Sequence, residues 1–402
     1  DDSVDPDAEL SAADVAAEDA TIAAETDAVP FEEQLAAVFR RYQTLGACVA
    51  VFQNGALTHV FCYGSADADG TPVTADTLFR IGSISKLVTT IGVLQLVESG
   101  ALSLDGDLGD AFGFPIKHPQ YKSTTVTLRQ LLTHTAGLRD SGYYTLALRG
   151  DVRALPALFS GARLQYVFLD NVRPGTESVY SNFGGGLFGS LIEQATGQTV
   201  DAYMAANVFT PANVTAMYQT ALIPTDAQVA DIYRMPSKRL ARVLRDGEPL
   251  QTVAQPELDY VYTAGKLVIS APDLARLMIA LCDGGVVGDA RLLKESSVAE
   301  LLTLQSNRGS VTGNSHRGLS TNIVTDAIVE GRTLYGHGGK AYGMLCGAYF
   351  DPIDRTGVVM LTNGCNNKPM YQGVGVLTRA VVRLCYAQLG FGAAEDPFLV
   401  GE

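Results

Sequence analysis

Apolar residues recur three and four apart through Leu35, Val38, Phe39 and Tyr42, which predicts a helix starting at Phe31 and stopping near Gly46, with one side laid on a sheet. The period then shortens. Residues 47–53 and 56–63 are β-rich runs separated by Asn54-Gly55, the strongest short-range hairpin signal, so two antiparallel strands are expected. From Leu78 to about Leu304 the pattern is helical. Residues 83–98 carry Ile84, Leu87, Val88, Ile91 and Leu94 on one side and end at Gly100, and further helices fit 187–195 and 270–282. Ser270 followed by Asp273 reads as an N-terminal cap, whereas 140–175 mixes aromatic, Gly and Pro residues and is expected to form a loop-rich pocket rim. Strand character returns at 318–324, 345–350 and 357–361, before a last helix at 374–389.

This order predicts an α/β fold of the α+β type: one antiparallel sheet built from both ends of the chain, flanked by N- and C-terminal helices, with an inserted, mostly helical domain. The spans that follow are an acidic tether at 1–30, a sheet domain at 31–77 and 305–402, and a helical domain at 78–304. The tether is read as unfolded because Ala, Asp and Glu dominate it, and such a segment buries too little apolar surface to offset chain entropy.

Charge changes the picture only at that end. The formal net charge is -14, but residues 1–30 hold ten acids and no Lys or Arg, leaving 33 acids against 29 bases. The body therefore has no basic excess with which to neutralise phosphates, which argues against a nucleic-acid partner. No apolar run reaches the eighteen residues that would suggest a membrane span. Six cysteines, without a C-x-x-C pair or a matching histidine pattern, predict no structural zinc site, and no metal or cofactor is expected. Of the six, Cys48 and Cys62 flank the Asn54-Gly55 turn. A strict two-residue loop would pair Cys48 with Phe61 and put the thiols on opposite faces, so only a bulge would let them meet.

Candidate chemistry begins at Ser83 and Lys86, three apart at a helix start, where their side chains project from one face within hydrogen-bond reach. A serine hydroxyl needs an adjacent base to act as a nucleophile, and the unpaired N–H groups of a helix N-terminus favour negative charge developing on a substrate oxygen. Taken alone, the pair also fits an ordinary helix start with an exposed lysine. The surrounding residues settle the comparison. Phe79-Arg80-Ile81-Gly82-Ser83-Ile84-Ser85-Lys86 resembles the first active-site motif of the class C β-lactamase and penicillin-binding-protein superfamily. Tyr180-Ser181-Asn182 resembles its Y-x-N motif and His337-Gly338-Gly339 its third motif, in the family's order. Residues 131–138, 264–275 and Asp351-Pro352 agree, so the resemblance runs from about Phe31 to Tyr386. One departure is Lys266, where relatives usually carry glycine; it is read as a solvated surface lysine.

The resemblance implies a β-lactamase/transpeptidase-like fold, acylation of Ser83, and proton transfer shared by Lys86 and Tyr180. It assigns Asn182 to Lys86 and the substrate amide, and the backbone N–H groups of Ser83 and Lys340 to an oxyanion hole, with Gly338 and Gly339 letting a substrate approach along a strand edge. Alternation in an extended segment points Tyr180 and Asn182 the same way, with Ser181 turned aside. His337, bounding the site, is largely neutral at pH 7 where many relatives carry lysine, which weakens anchoring of a substrate carboxylate and argues against an efficient β-lactamase. His134 is assigned a structural place. Gly184, Gly186 and Gly189 match the dinucleotide fingerprint formally but follow no buried strand, so they are read as helix-packing glycines.

The leading expectation is a serine hydrolase acting through a Ser83 acyl-enzyme on an ester or amide, an esterase or D-amino-acid-type peptidase. Alternatives are a β-lactamase or D,D-carboxypeptidase, a transacylase, and a penicillin-binding sensory module without turnover. A small-molecule or peptide substrate is the expected partner, and the resemblance implies export to a bacterial cell envelope or exterior.

Overall fold

The computed structural model describes residues 9–26, 29–305, 316–366 and 369–391. The parts of the predicted tether and sheet domain at 1–8, 27–28, 306–315, 367–368 and 392–402 lie outside the described residues. Six strands form the main sheet: β1 (Gly46–Gln53), β2 (Ala56–Gly64), β3 (Asn322–Thr325), β4 (Thr333–Ala341), β5 (Met344–Asp351) and β6 (Thr356–Thr362). Their order is β3-β4-β5-β6-β1-β2, with every neighbour antiparallel. The two ends of the chain meet at the β1–β6 seam, where Val49 stands opposite Met360 and Val51 opposite Val358.

Period-two alternation explains why this sheet is covered on both faces. From β1, Ala47, Val49 and Val51 enter one core with Leu35, Val38 and Phe39 of α2 (Phe31–Arg41), while Cys48, Ala50 and Phe52 enter the other. Of the later helices, α3 (Ile84–Glu98), α4 (Asn182–Thr196) and α5 (Ala271–Cys282) belong to the second core, and α6 (Val376–Gln388) lies beside α2 on the first. Ser270 caps α5 as expected, accepting from Asp273 N at 3.3 Å. No helix among the described residues is long and apolar enough to cross a membrane.

The hairpin contains the irregularity that its cysteines require. Asn54 and Gly55 both have positive φ, 51° and 77°, the backbone of a tight hairpin turn. The register then slips between Val51 and Phe52, so Val51 pairs with His59, Phe52 with Leu57, and Cys48 with Cys62 rather than Phe61. The two sulfurs face each other at 3.3 Å.

The tether expectation is corrected over 12–26, which form a docked helix, α1 (Ala12–Thr26). Its few apolar residues suffice because Val15 and Ile22 are buried. Its acids also find fixed partners. Glu18 accepts from Arg41 Nε at 2.9 Å and Tyr42 Oη at 2.7 Å, and Asp19 pairs with Arg379 and Arg383 of α6. Composition counts the carboxylates without showing the arginines that tertiary packing sets beside them.

Candidate active site

A three-stranded sheet, in which Val268–Ile269 pairs with both Phe79–Arg80 and Ala216–Met217, leads the chain into the start of α3. The turn there is Gly82, at φ 57°, where a Cβ would stand 2.7 Å from Met344 Cε and 3.3 Å from Lys340 N. Ser83 is the residue before the helix, yet its side chain makes no capping bond, which leaves the hydroxyl to other groups. Lys86 Nζ donates to it at 3.1 Å and Tyr180 Oη at 2.7 Å.

Lys86 is fully buried, and burial of an ammonium is costly unless its donors are matched. Its three N–H groups meet Ser83 Oγ, Asn182 Oδ1 at 2.9 Å and Ala264 O at 2.6 Å. The stem needs equally close accommodation: a Cβ on Gly185 would lie 2.2 Å from Lys86 Cε, and one on Gly186 only 1.5 Å from Tyr260 O. The glycines of 184–189 therefore let α4 approach both Lys86 and the 260–263 segment.

Tyr180 and Asn182 both reach the Ser83–Lys86 pair, while Ser181 turns away to cap α4 at Gly184 N. The residue that holds this arrangement is Asp140, which the sequence reading placed only at the edge of a pocket rim. It accepts from Ser181 Oγ at 3.0 Å, Asn182 Nδ2 at 2.8 Å and Phe183 N at 2.8 Å. Both ends of the Asn182 amide are thereby committed, oxygen to Lys86 and nitrogen to Asp140. Nothing in the local spacing of Asp140 marks this role, because its partners lie 41 to 43 residues on.

Around the Tyr180 ring stand Lys86 Nζ at 4.9 Å, the Arg317 guanidinium at 5.5 Å and the His134 ring at 4.4 Å. Arg317, which had no place in the motif reading, is buried and donates to Asn322 Oδ1 at 2.9 Å. His134 accepts from Ser181 N through Nδ1 at 3.3 Å, so the imidazole both props Tyr180 and steadies the turn.

His337 is where the structure departs from the expected site boundary. The ring is buried behind Tyr180, 6.3 Å away, and does not line the cleft that contains Ser83. Its Nδ1 meets its own neighbour, Gly338 O, at 2.6 Å. Burial, with the nearby Lys86 charge acting the same way, pulls its pKa down to about 3 against the Gly338 hydrogen bond. The alternation of β4 explains the placement: with Lys340 outermost and exposed, His337 falls on the inner face. Gly339 does bring strand and turn together, whereas a Cβ on Gly338 would meet nothing nearer than Tyr349 Oη at 3.6 Å. A Cβ on Gly339 would lie 2.0 Å from Ile81 O and 3.4 Å from Ser83 N, so the 339–340 backbone lies against the 81–83 turn.

An imidazole held neutral in the fold but free to ionise when unfolded makes stability depend on pH. Between the unfolded value near 6.5 and the folded value of about 3, the unfolded chain binds the extra proton, so stability is full above that window and falls as pH drops through it. Urea unfolding at pH 7, 6, 5 and 4 should show a loss that His337→Gln reduces by up to about 1.4 kcal/mol per pH unit below 6. Identical pH slopes for the two proteins would contradict a buried neutral His337.

The cleft at Ser83 has a volume of about 150 Å³ and is lined by Asn182, Tyr144, Arg80, Lys340 and Tyr342 among others. Lys266 is no solvated surface residue: it is half-buried, pairs with Glu248 at 2.8 Å and lines an adjoining hollow.

Comparison with known proteins agrees with this architecture. The Beta-lactamase family profile matches residues 22–379. Penicillin-binding protein 4 of Amycolatopsis lactamdurans is 29% identical over 357 residues, covering 84% of this chain and 86% of that protein. Esterase EstB of Burkholderia gladioli is 33% identical over 207 residues, 48% of this chain and 50% of the esterase. Among solved structures, a β-lactamase/D-alanine carboxypeptidase from Pseudomonas syringae superposes with a TM-score of 0.68 at 20% identity, covering 90% of this chain and 99% of that one.

Proposed function

Since this chain belongs to the Beta-lactamase family and is a serine hydrolase, we propose that Ser83 is its nucleophile and that it acts on esters or amides of small acyl or D-amino-acid type. The observation that carries this reading is the Ser83 hydroxyl held at once by Lys86 Nζ at 3.1 Å and Tyr180 Oη at 2.7 Å. In the reacting form the Tyr180–Lys86 pair holds one proton fewer than an ammonium and a phenol together, so as Ser83 Oγ bonds to the carbonyl carbon its proton passes to Tyr180 Oη, and the carbonyl oxygen becomes an oxyanion facing the Ser83 and Lys340 N–H groups. Collapse breaks the bond to the leaving group, which takes the proton back from Tyr180. Water then repeats the sequence and frees the acid.

Asn182 serves by holding the ammonium and presenting its second Nδ2–H to the substrate, Gly339 keeps β4 close enough for the Lys340 N–H to take part, and Gly338 leaves the strand edge open to the substrate. His337 takes a positioning role behind Tyr180. Its neutral, buried ring supplies no charge for a substrate carboxylate, which ranks esterase or peptidase activity above β-lactam hydrolysis. Within the same proposal, the enzyme works in the cell envelope or outside the cell.

A panel of p-nitrophenyl esters, D-alanyl peptides and nitrocefin, read by product release and intact mass, tests the order. Ester or D-peptide turnover with a transient adduct mapped to Ser83 is expected. Fast nitrocefin hydrolysis without esterase activity would reverse it, and a stable adduct with no product would favour the sensory reading.

A further inference from the structure

Beside the Ser83 cleft lies a second hollow of about 570 Å³, and the two share Arg80, Leu148 and Tyr342 in their walls. Its cations are unexpected in a chain of net charge -14: Arg80, Arg149, Arg242 and Lys266 line it against Asp246 and Glu248. Glu248 is already engaged by Lys266, and Asp246 accepts from Thr220 Oγ1 and Glu248 N. Among the described residues, the three arginines have no carboxylate within ion-pair distance. Two of them bracket the Tyr342 ring, Arg242 at 4.3 Å from its centroid and Arg80 at 5.4 Å, and Arg80 Nε is anchored on Gly265 O at 2.7 Å. The Tyr342 phenol reports the local field. Burial pushes its pKa up, yet the approach of Arg242 and the charges of Arg80, Arg242 and Lys266 outweigh that and leave it lowered. Apolar side chains complete the wall, with Leu148 39%, Leu240 49% and Val243 42% exposed, more than such residues show when fully packed.

The direction of the reaction decides which part of a substrate would occupy this hollow. Tyr180 returns the proton to the leaving group, so the leaving group departs on the Tyr180 side of Ser83. The acyl remainder then occupies the cleft itself, whose walls include Arg80 and Tyr342. We propose that the enzyme is specific for acyl groups whose apolar chain ends in an anionic group, the chain lying on Leu148, Leu240 and Val243 and the anion held by Arg242 and Arg80. This inference rests on the reading of Ser83 as the nucleophile and adds the class of acyl group. Guanidinium groups suit the task because they present several N–H donors in a plane to a carboxylate.

The test compares two activated esters of equal length, the 4-nitrophenyl monoester of adipic acid with a free carboxylate and its neutral counterpart in which that carboxyl is a methyl ester. For the wild-type enzyme the ratio of kcat/KM values, anionic over neutral, is expected to exceed about tenfold, since a charge-assisted contact is worth about a decade. Arg242→Gln, at an exposed position, should bring the ratio down by about tenfold, and a ratio is insensitive to how much of the variant is folded. Raising NaCl from about 50 mM to about 1 M on the wild-type enzyme should lower the same ratio severalfold, which keeps the test independent of any variant. A wild-type ratio near one, or a preference that Arg242→Gln leaves intact, overturns the inference while Ser83-dependent release of nitrophenol still supports the hydrolase reading. If neither ester is turned over through Ser83, both fall together.

Discussion

Ser83→Ala is expected to lower kcat on an activated ester by about 10⁴-fold or more and to abolish the mass shift left by a fluorophosphonate, with little change in Tm. The size of the effect follows from what the hydroxyl does. It is the atom that bonds to the substrate, and the side chain contributes no helix-capping bond whose loss would unsettle α3. Lys86 Nζ would keep Asn182 Oδ1 and Ala264 O as partners in the variant, so the pocket stays assembled around a missing nucleophile. Catalysis left over from the oxyanion hole and binding alone sets the floor. Turnover within tenfold of wild type, or an adduct mapped elsewhere, would sink the assignment.

Lys86→Met is expected to reduce kcat by about 10³-fold, in the upper part of the range for loss of a positioned proton-transfer group. Methionine approximates the length of the lysine stem that crosses Gly185, so the packing against α4 is largely kept while the charge and its three donors are removed. Because a buried ammonium is costly to hold, the variant should unfold no more than a few degrees below the wild type, in keeping with a site that trades stability for activity. The rate of fluorophosphonate labelling should fall in step with turnover, as both need the Ser83 proton removed. Labelling at the wild-type rate would show that Lys86 does not act on the hydroxyl.

Much of the scaffold was legible because period-two and helical patterns act locally. The alternation of β1 and its Asn54-Gly55 turn, the apolar side of α2 and the cap of α5 each follow from neighbours within a few residues, and each is found where predicted. The hairpin register was not legible. One extra residue in β2, Thr58, left unpaired opposite the Val51–Phe52 step, changes which side chain faces Cys48, and the strand pattern tolerates the bulge without announcing it. The docking of α1 escaped for a related reason: its arginine partners are supplied by α2 and α6, far along the chain.

At the site the division is the same. Residue type and spacing alone determined that Ser83 and Lys86 share the first turn of a helix, that Tyr180 and Asn182 can face one way, and that small residues follow His337. Only the tertiary structure decided that Asp140 fixes Asn182, that Arg317 and His134 flank Tyr180, that His337 is sealed behind it, and that Arg242 comes to lie over Tyr342. The physical reason is range. Helical and strand periodicity place side chains relative to their own backbone, whereas the charges, hydrogen bonds and burial that set each group's chemistry come from segments joined only by folding, and no local pattern encodes that meeting.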